Sequence, residues 1–454
     1  MNVHLLTQEA LGRGFEGQVL GPGDDGYEAA RTVWNAMVDR RPALTARPAA
    51  AADVARAIGF ARARGLEIGI RCGGHSVVGH AVPDGGLMID LSLMQSVRVD
   101  PDRRKAWVQG GALLGDLDRA TQAHGLATTA GNVSHTGVGG LTLGGGMGWL
   151  ARQFALACDN VEAFEVVTAD GSIVRATATE NPDLFWGLRG GGGNFGVVTE
   201  FEFRLHPLAG QALVVDFSFE LDDAPAVLRR WADLVPETPR QATPTAWAGR
   251  GENGRPIASA GYVWVGDPDE GRGLLAAFRG LGPVVTESVR DVSYLGLQSG
   301  DDIPARHGMR RYWKGHYLRE LSDAAIDAFL SVTSMDAGNL HGSFQTHGGA
   351  IAEVGGDETA FSHRDTLVEF DSGTSWTDPA DDDRQLAAAR RYGAAVEPFA
   401  SGVYVNALAD EGAAGIERAY GADGLQRLAA IKDRLDPDNV FHLNQNIRPS
   451  GHPV

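Results

Sequence analysis

His75 stands directly behind two glycines in Arg71-Cys72-Gly73-Gly74-His75-Ser76, at the end of an apolar run from Leu66 to Ile70 that reads as a strand. A neutral imidazole nitrogen is a competent nucleophile. With no side chain on either preceding residue, a large partner can approach the ring closely. Two more glycine clusters follow, Gly131 to Gly148 and Gly190 to Gly193. Gly191, Gly193 and Gly196 fit GxGxxG, but a dinucleotide fingerprint requires a helix after the glycines, and here the β-rich run "VVTEFEFRL" follows. No GK[ST] occurs, so a P-loop is excluded as well. What remains is a set of turns whose backbone N–H groups can come close to an anionic cofactor.

Further along, "SFQTHGGAIAEV" reads as a strand with Gln345 and His347 on one side, and the glycines that follow suggest close approach of a ligand. Both residues are candidate substrate contacts, with Tyr262, Glu353 and Glu369 as weaker ones. "RRYWKGHY", with Arg310, Arg311, Tyr312 and Lys314, reads as a solvated basic stretch. Tyr404 and Asn406 of "YVN" alternate onto one strand face, as do Asn444 and Asn446 of "NQN". A phenol titrates near 10, so Tyr404 needs a cationic or hydrogen-bonding neighbour to act as a base at neutral pH. Cys72 and Cys158 have no CxxC spacing, and His75 and His80 are five apart in a glycine-rich turn. No metal and no disulfide are expected.

The elements that position these residues are legible in outline. Ala51 to Arg64 carries Val54, Ile58 and Ala61 at helical spacing and stops at Gly65. Asp100-Pro101-Asp102 makes a turn between strands around Val99 and Trp107, and Phe201, Phe203 and Leu205 alternate as a half-buried strand should. After Pro207 come strands "LVVDFSFEL" and "ASAGYVWVG" and a helix "SDAAIDAFLSV" that Ser322 can cap, a second α+β lobe. Near the end, Leu425, Leu428, Ile431 and Leu435 share one helix face, stopped by Asp436-Pro437. The 454 residues are too many for one ordinary core. A formal charge of -18 repels nucleic acid and anionic membranes, so small-molecule partners are favoured. No apolar run is long enough to span a bilayer, and the first thirty residues carry acidic groups and no secretory pattern, so a cytoplasmic protein is expected.

Several of these stretches, in order, resemble the FAD-linked oxidases of the berberine bridge enzyme type, within the vanillyl-alcohol oxidase superfamily: "RCGGHSVVGHAVPDGGLMIDLS", "GNVSHTGVGGLTLGGGMGWLARQFALACDNV", "FWGLRGGGGNFGVVTEFEF", "AFSHRDTLVEF", "YVNALADEG" and "LDPDNVFHLNQNI". The resemblance implies an α+β fold in two lobes. A PCMH-type FAD-binding domain would be built from residues 1–208 (core about 38–208) and 401–454, with a substrate domain, 209–400, of antiparallel sheet covered by helices inserted between them. It implies that His75 bonds covalently to the flavin 8α-methyl. Many relatives add a second link through a cysteine four residues before the first glycine of G-V-G-G. That position is Val133 here, so a single histidyl link is expected. Thr136 takes the position close to the flavin N5 and C4a, where a small hydroxylated side chain favours reaction with oxygen. Cofactor contacts are implied for Arg71, Gly73, Gly74, Ser76, Gly79, Gly137, Gly140, Gly144, Gly145, Gly148, Gly193, Asn194, Gly196 and Val198, and for Tyr404, Asn406 and Asn444. Tyr404 is the implied base and a substrate contact. The activity implied is hydride transfer from an alcohol, amine or natural-product substrate to flavin N5, with molecular oxygen as acceptor and hydrogen peroxide as product. A dehydrogenase, an oxygenase or a non-catalytic flavin-binding module are the alternatives.

Overall fold

A computed structural model describes residue 11 and residues 14–251, 254–335 and 338–451. The first ten residues of the acidic N-terminal stretch lie outside them. Among the described residues there are three large sheets and one two-stranded pair, His206–Pro207 with Leu126–Ala127. The first runs in the order Gln18–Leu20, Leu44–Arg47, Leu87–Asp90, Ile68–Arg71, and its last three strands are parallel. The helix Ala51–Arg64 buries Val54, Ala57, Ile58 and Ala61 and ends where Gly65 turns left-handed, at φ 62°. The strand Ile68–Arg71 therefore stops just before Gly73 and Gly74, and its end aims the chain at His75.

The second sheet is antiparallel, ordered Val97–Asp100, Lys105–Gln109, Val197–Arg204, Val161–Val167, Ile173–Ala176. Phe201 and Phe203 are buried in it, and the strand Val197–Arg204 directly follows the Gly190 to Gly196 cluster, which is why those glycines cannot serve a helix N-terminus. The C-terminal segment completes this core: Val403, Val405, Leu428, Ile431 and Ile447 pack with Val108, Phe164 and Phe201. The helix Gly412–Leu435 kinks at Gly421, whose φ of 67° no helix interior adopts.

The third sheet has seven antiparallel strands, in the order Val284–Ser293, Gln211–Phe219, Pro256–Val265, Ala242–Arg250, His341–Thr346, Val368–Trp376, Arg310–Leu318. Helices Ala224–Leu234, Asp323–Leu330 and Asp382–Val396 cover one face around Trp231, Phe329, Phe344, Phe370 and Tyr392. Ser322 caps the second of them, its hydroxyl accepting from Ala325 N. Because side chains alternate, Gln345 and Glu369, directly opposite in register, point to the other face.

Four sequence expectations need correction. "RRYWKGHY" is the strand Arg310–Leu318, not a solvated stretch: Tyr312 is buried, and the Arg311 guanidinium lies 4.4 Å from the Trp34 ring. "YVN" is a tight 3₁₀ turn, Val405–Ala407, because Asn406 Nδ2 donates to the Tyr404 hydroxyl (2.9 Å) and to Leu141 O (3.2 Å) instead of leaving a strand free to pair. "NQN" forms bends, with Asn444 Nδ2 donating to Gly193 O (3.2 Å) and Phe441 O (3.0 Å). The strand holding Gln345 ends at Thr346; Gly348 and Gly349, at φ 82° and 56°, turn the chain, so His347 leaves the alternation. Among the described residues no helix is long and apolar enough to cross a membrane.

Candidate active site

A cavity of about 1340 Å³ runs between the first two sheets and the polar face of the seven-stranded sheet. Ligand pockets usually hold about 300–1,000 Å³, so this one has room for a dinucleotide together with a substrate. One end is built by close contact of two glycine loops. A Cβ on Gly73 would collide with Gly137 N, and one on Gly137 with Gly73 N, so only glycine at both positions lets the backbones touch. That contact brings His75 to Thr136, whose Oγ1 lies 3.4 Å from His75 Nδ1, and to His135, whose Nδ1 lies 2.7 Å from His75 Nε2. Trp34 stacks on the His75 ring at 4.9 Å, and His307 closes the group with its centroid 5.7 Å from His75 and 5.2 Å from His135. Burial, followed by His135, His307 and Arg311, holds the His75 imidazole well below its ordinary value, so the ring is neutral and nucleophilic. The three histidines lie within metal-ligand reach of one another, a grouping the sequence did not suggest. However, two nitrogens 2.7 Å apart are sharing a proton: ligands about 2.0–2.1 Å from one tetrahedral zinc stand further apart than that.

At the other end, Glu369 and Asp371 face the cavity from one strand. Burial pushes the Glu369 carboxyl up to about 8, and burial, then Glu369, raises Asp371, which accepts from Trp313 Nε1 (2.6 Å). His347 does not reach the cavity wall. It is 1% exposed behind Glu369, with Nε2 3.4 Å from Glu369 Oε2, and burial pushes it down to about 3. The pair is therefore a neutral acid beside a neutral imidazole near pH 7. The Tyr404 hydroxyl accepts from Gly146 N (3.0 Å) and Asn406 Nδ2 (2.9 Å). Burial, with Glu369 adding to it, still raises the phenol above its ordinary 10.

Of the cofactor contacts read from the sequence, Gly73, Gly74, Ser76, Val133, Thr136, Gly137, Gly140, Gly193, Gly196, Val198, Asn406 and Asn444 line the cavity, as do His75, Tyr404 and Gln345. Five positions fall outside its wall. The Arg71 guanidinium is turned to the buried Asp90 carboxylate at 3.2 Å, and Gly79, Gly144, Gly145 and Gly148 are held by packing against Val38, Asn406, Phe361 and Ala130. Asn194 lines the cavity but its side chain is occupied: Nδ2 donates to Gly191 O and Gln445 O, and Oδ1 accepts from Ile447 N. Among the weaker candidates, Tyr262 is buried on the helix side with its hydroxyl on Gly271 O (2.8 Å), and Glu353 is exposed and paired to Arg240. Cys158 is buried and Cys72 half-buried, and burial raises both thiols, Cys72 to about 11. His135 and His307 were missed; His135 stood in plain view inside "NVSHTGVGG", but nothing in the polar loop around His307 marked it.

The cavity itself tests whether FAD fits. Gly140 and Gly193 have ordinary backbone angles, and a Cβ at either would find no atom within 4 Å, so neither turn geometry nor neighbouring protein requires glycine there. Both line the cavity, so the open space in front of them is where a cofactor would lie. Buried, unpartnered polar atoms on the same walls, Asn444 Oδ1, Asn132 Oδ1 and Gln345 Nε2, are what a polar cofactor and substrate would satisfy.

Residues 42–177 match the family model for an FAD binding domain, and residues 403–448 match that for berberine and berberine-like proteins. Along its length the chain is 32% identical to (R)-6-hydroxynicotine oxidase of Paenarthrobacter nicotinovorans, covering 96% of this chain and 98% of that protein. The chain belongs to the berberine bridge enzyme-like family of FAD-linked oxidoreductases. Among solved structures of the family, 6-hydroxy-D-nicotine oxidase from Arthrobacter nicotinovorans superposes with a TM-score of 0.87 at 29% identity, covering 96% of this chain and 98% of that one. Glucooligosaccharide oxidase from Acremonium strictum gives 0.87 at 26% identity, over 96% and 97%. The latter's FAD is described as 6-S-cysteinyl, 8α-N1-histidyl. The chain is thus an FAD-dependent oxidoreductase of this fold.

Proposed function

We propose that this protein is an oxidase whose FAD is joined to the chain through His75 alone, and that it oxidises a small alcohol, amine or natural-product substrate with molecular oxygen as acceptor. In this reading residues 1–208 and 401–454 hold the cofactor and residues 209–400 present the substrate. The observation that carries it is one cavity lined by a neutral imidazole beside an open glycine cradle at one end and by a buried carboxyl at the other. Bound FAD supplies hydride acceptance at N5 and reoxidation by oxygen.

The chain's own residues do the rest. Backbone at Gly140 and Gly193 leaves room for the cofactor, and Asn444 offers it an unpartnered Oδ1. Val133 stands where a thiol would give a second link, supporting a single one. Tyr404 was the base expected from the sequence, but its raised phenol and the neighbouring Glu369 disfavour a phenolate. Because its oxygen already accepts two N–H groups, its own hydrogen is free to orient a substrate oxygen or nitrogen. Glu369, in its ionised form, takes the proton from the substrate hydroxyl or amine, and His347 behind it holds the carboxyl in place. Thr136 keeps the space beside the tether small and polar.

Acid precipitation tests the tether: the denatured wild-type band should fluoresce as flavin, and the His75→Ala band should not. A colourless wild-type pellet would end the covalent reading. For the acceptor, protein reduced anaerobically and mixed with air should regain its oxidised spectrum with stoichiometric hydrogen peroxide; flavin that stays reduced for minutes would exclude an oxidase.

A further inference from the structure

We infer that His135 is the general base of the protein's own flavin attachment, fixing His75 so that its Nδ1 forms the link; this rests on the reading of His75 as the tether. His75 has two hydrogen-bond neighbours, one at each ring nitrogen. Thr136 Oγ1, 3.4 Å from Nδ1, is a hydroxyl that can donate, and among the described residues its hydroxyl makes no other hydrogen bond. His135 Nδ1, 2.7 Å from Nε2, is the closer partner, and in the tautomer assigned by this inference it accepts the Nε2 proton. In that arrangement the Nδ1 lone pair of a neutral His75 is the nucleophile, and the partner at Nε2 sets the tautomer.

His135 is itself held in place. Asp302 reaches across from the loop that carries His307, accepting from Ser134 N (2.9 Å) and Ser134 Oγ (2.6 Å). The far nitrogen of His135, Nε2, is buried without a partner. Trp34 stacked on one face of His75, with Arg311 over Trp34, prevents the ring from rotating away.

The step balances as follows. His75 Nδ1 forms the bond to the 8α carbon; one proton leaves that methyl group, and the electron pair of the broken C–H bond ends in the ring system. The Nε2 proton of His75, acidified as Nδ1 becomes alkylated, passes to His135 Nδ1. The flavin is left two-electron reduced, and molecular oxygen takes that pair with two protons as hydrogen peroxide.

Two measurements test it. Peptide mapping of wild-type protein, with the flavinyl-histidine linkage nitrogen assigned by NMR, should find Nδ1; a link through Nε2 overturns the inference while leaving the tether reading intact. Intact mass under denaturing conditions should show wild type carrying one FAD per chain. His135→Leu should bind FAD yet release it on denaturation, its linked fraction on incubation with FAD growing about 100-fold more slowly, the low end of a general-base contribution. His135→Asn, which keeps an acceptor near the Nδ1 position without the basicity, should also be slow but still link through Nδ1. Linkage in both variants at the wild-type rate overturns the inference. If His135→Leu binds no FAD, His135→Asn and the wild-type linkage nitrogen decide. Wild type without covalent flavin would remove both this inference and the tether reading.

Discussion

Replacing Glu369 by glutamine removes one buried ionisable group, and the consequence can be worked out in advance. The Glu369 carboxyl is raised from 4.5 to about 8 by burial. At about 1.36 kcal/mol per tenfold change in proton affinity, that displacement corresponds to about 5 kcal/mol between the protonated and ionised forms. The folded state binds the proton more tightly than the unfolded chain, so the group's contribution is fully present below about pH 4.5 and is lost as pH rises through about 8. His347, pushed down to about 3, acts in the opposite sense, adding stability as pH rises from about 3 to 6.5, but it is present in both proteins and largely cancels in their difference. Urea unfolding of wild type and Glu369→Gln at pH 5 and pH 8 should therefore show the stability difference moving by about 4 kcal/mol in the variant's favour at the higher pH. A difference that moves by less than about 1 kcal/mol between the two pH values would refute the premise that this carboxyl is buried at the end of the cavity and unpaired by a cation.

With Glu369 as the proposed base, wild-type kcat/KM should climb with pH to a plateau above about 8, as the base loses its proton, while Glu369→Gln should lie about 10² to 10⁴ lower with that limb abolished. Tyr404→Phe should raise KM more than it lowers kcat if the hydroxyl orients substrate, and a loss of kcat as large as that of Glu369→Gln would return the base to Tyr404. Gly193→Ala made in a His75→Ala background should leave the urea midpoint of FAD-free protein unchanged but weaken FAD binding, measured by flavin fluorescence, because its methyl group has only the cofactor to meet. Lys432→Met strands the buried Asp436 carboxylate, 2.7 Å from Lys432 Nζ, and should cost about 3 to 5 kcal/mol, seen as a lower urea midpoint.

Local signals were read well where chain and packing agree. The helix Ala51–Arg64 and its Gly65 stop, the Ser322 cap and the strand after Gly196 each follow from a few adjacent residues. The pattern failed where a side chain, not the backbone ladder, sets the conformation: Asn406 folds "YVN" into a turn by donating to Tyr404 and Leu141, and alternation alone cannot show that. "RRYWKGHY" misled because its charges are absorbed pairwise, Arg310 by Asp382 and Arg311 by Trp34 and the carbonyl of Arg306. In the site, a glycine facing a ligand and a glycine facing a neighbouring backbone look alike in sequence. Gly140 and Gly144 sit four apart in one cluster, yet the first meets open space and the second meets Asn406. The histidine group was illegible for a related reason, since His75 and His135 meet only through the contact of the Gly73 and Gly137 loops, and His307 joins them from a loop far along the chain.

The core of the flavin-type lobe is shared between residues 106–205 and residues 403–447, and Asn194 is tied by its Oδ1 to Ile447 N. Time enters here. A ribosome finishing the N-terminal part must make roughly 200 more residues before the closing segment exists, about 10 to 40 s at ~5–20 residues per second. Throughout that interval the glycine cradle has no C-terminal wall, so Tyr404 and Asn444 are missing from it. Cofactor capture is therefore an event of the released chain, and a link at the proposed tether, His75, would record that the whole polypeptide has folded.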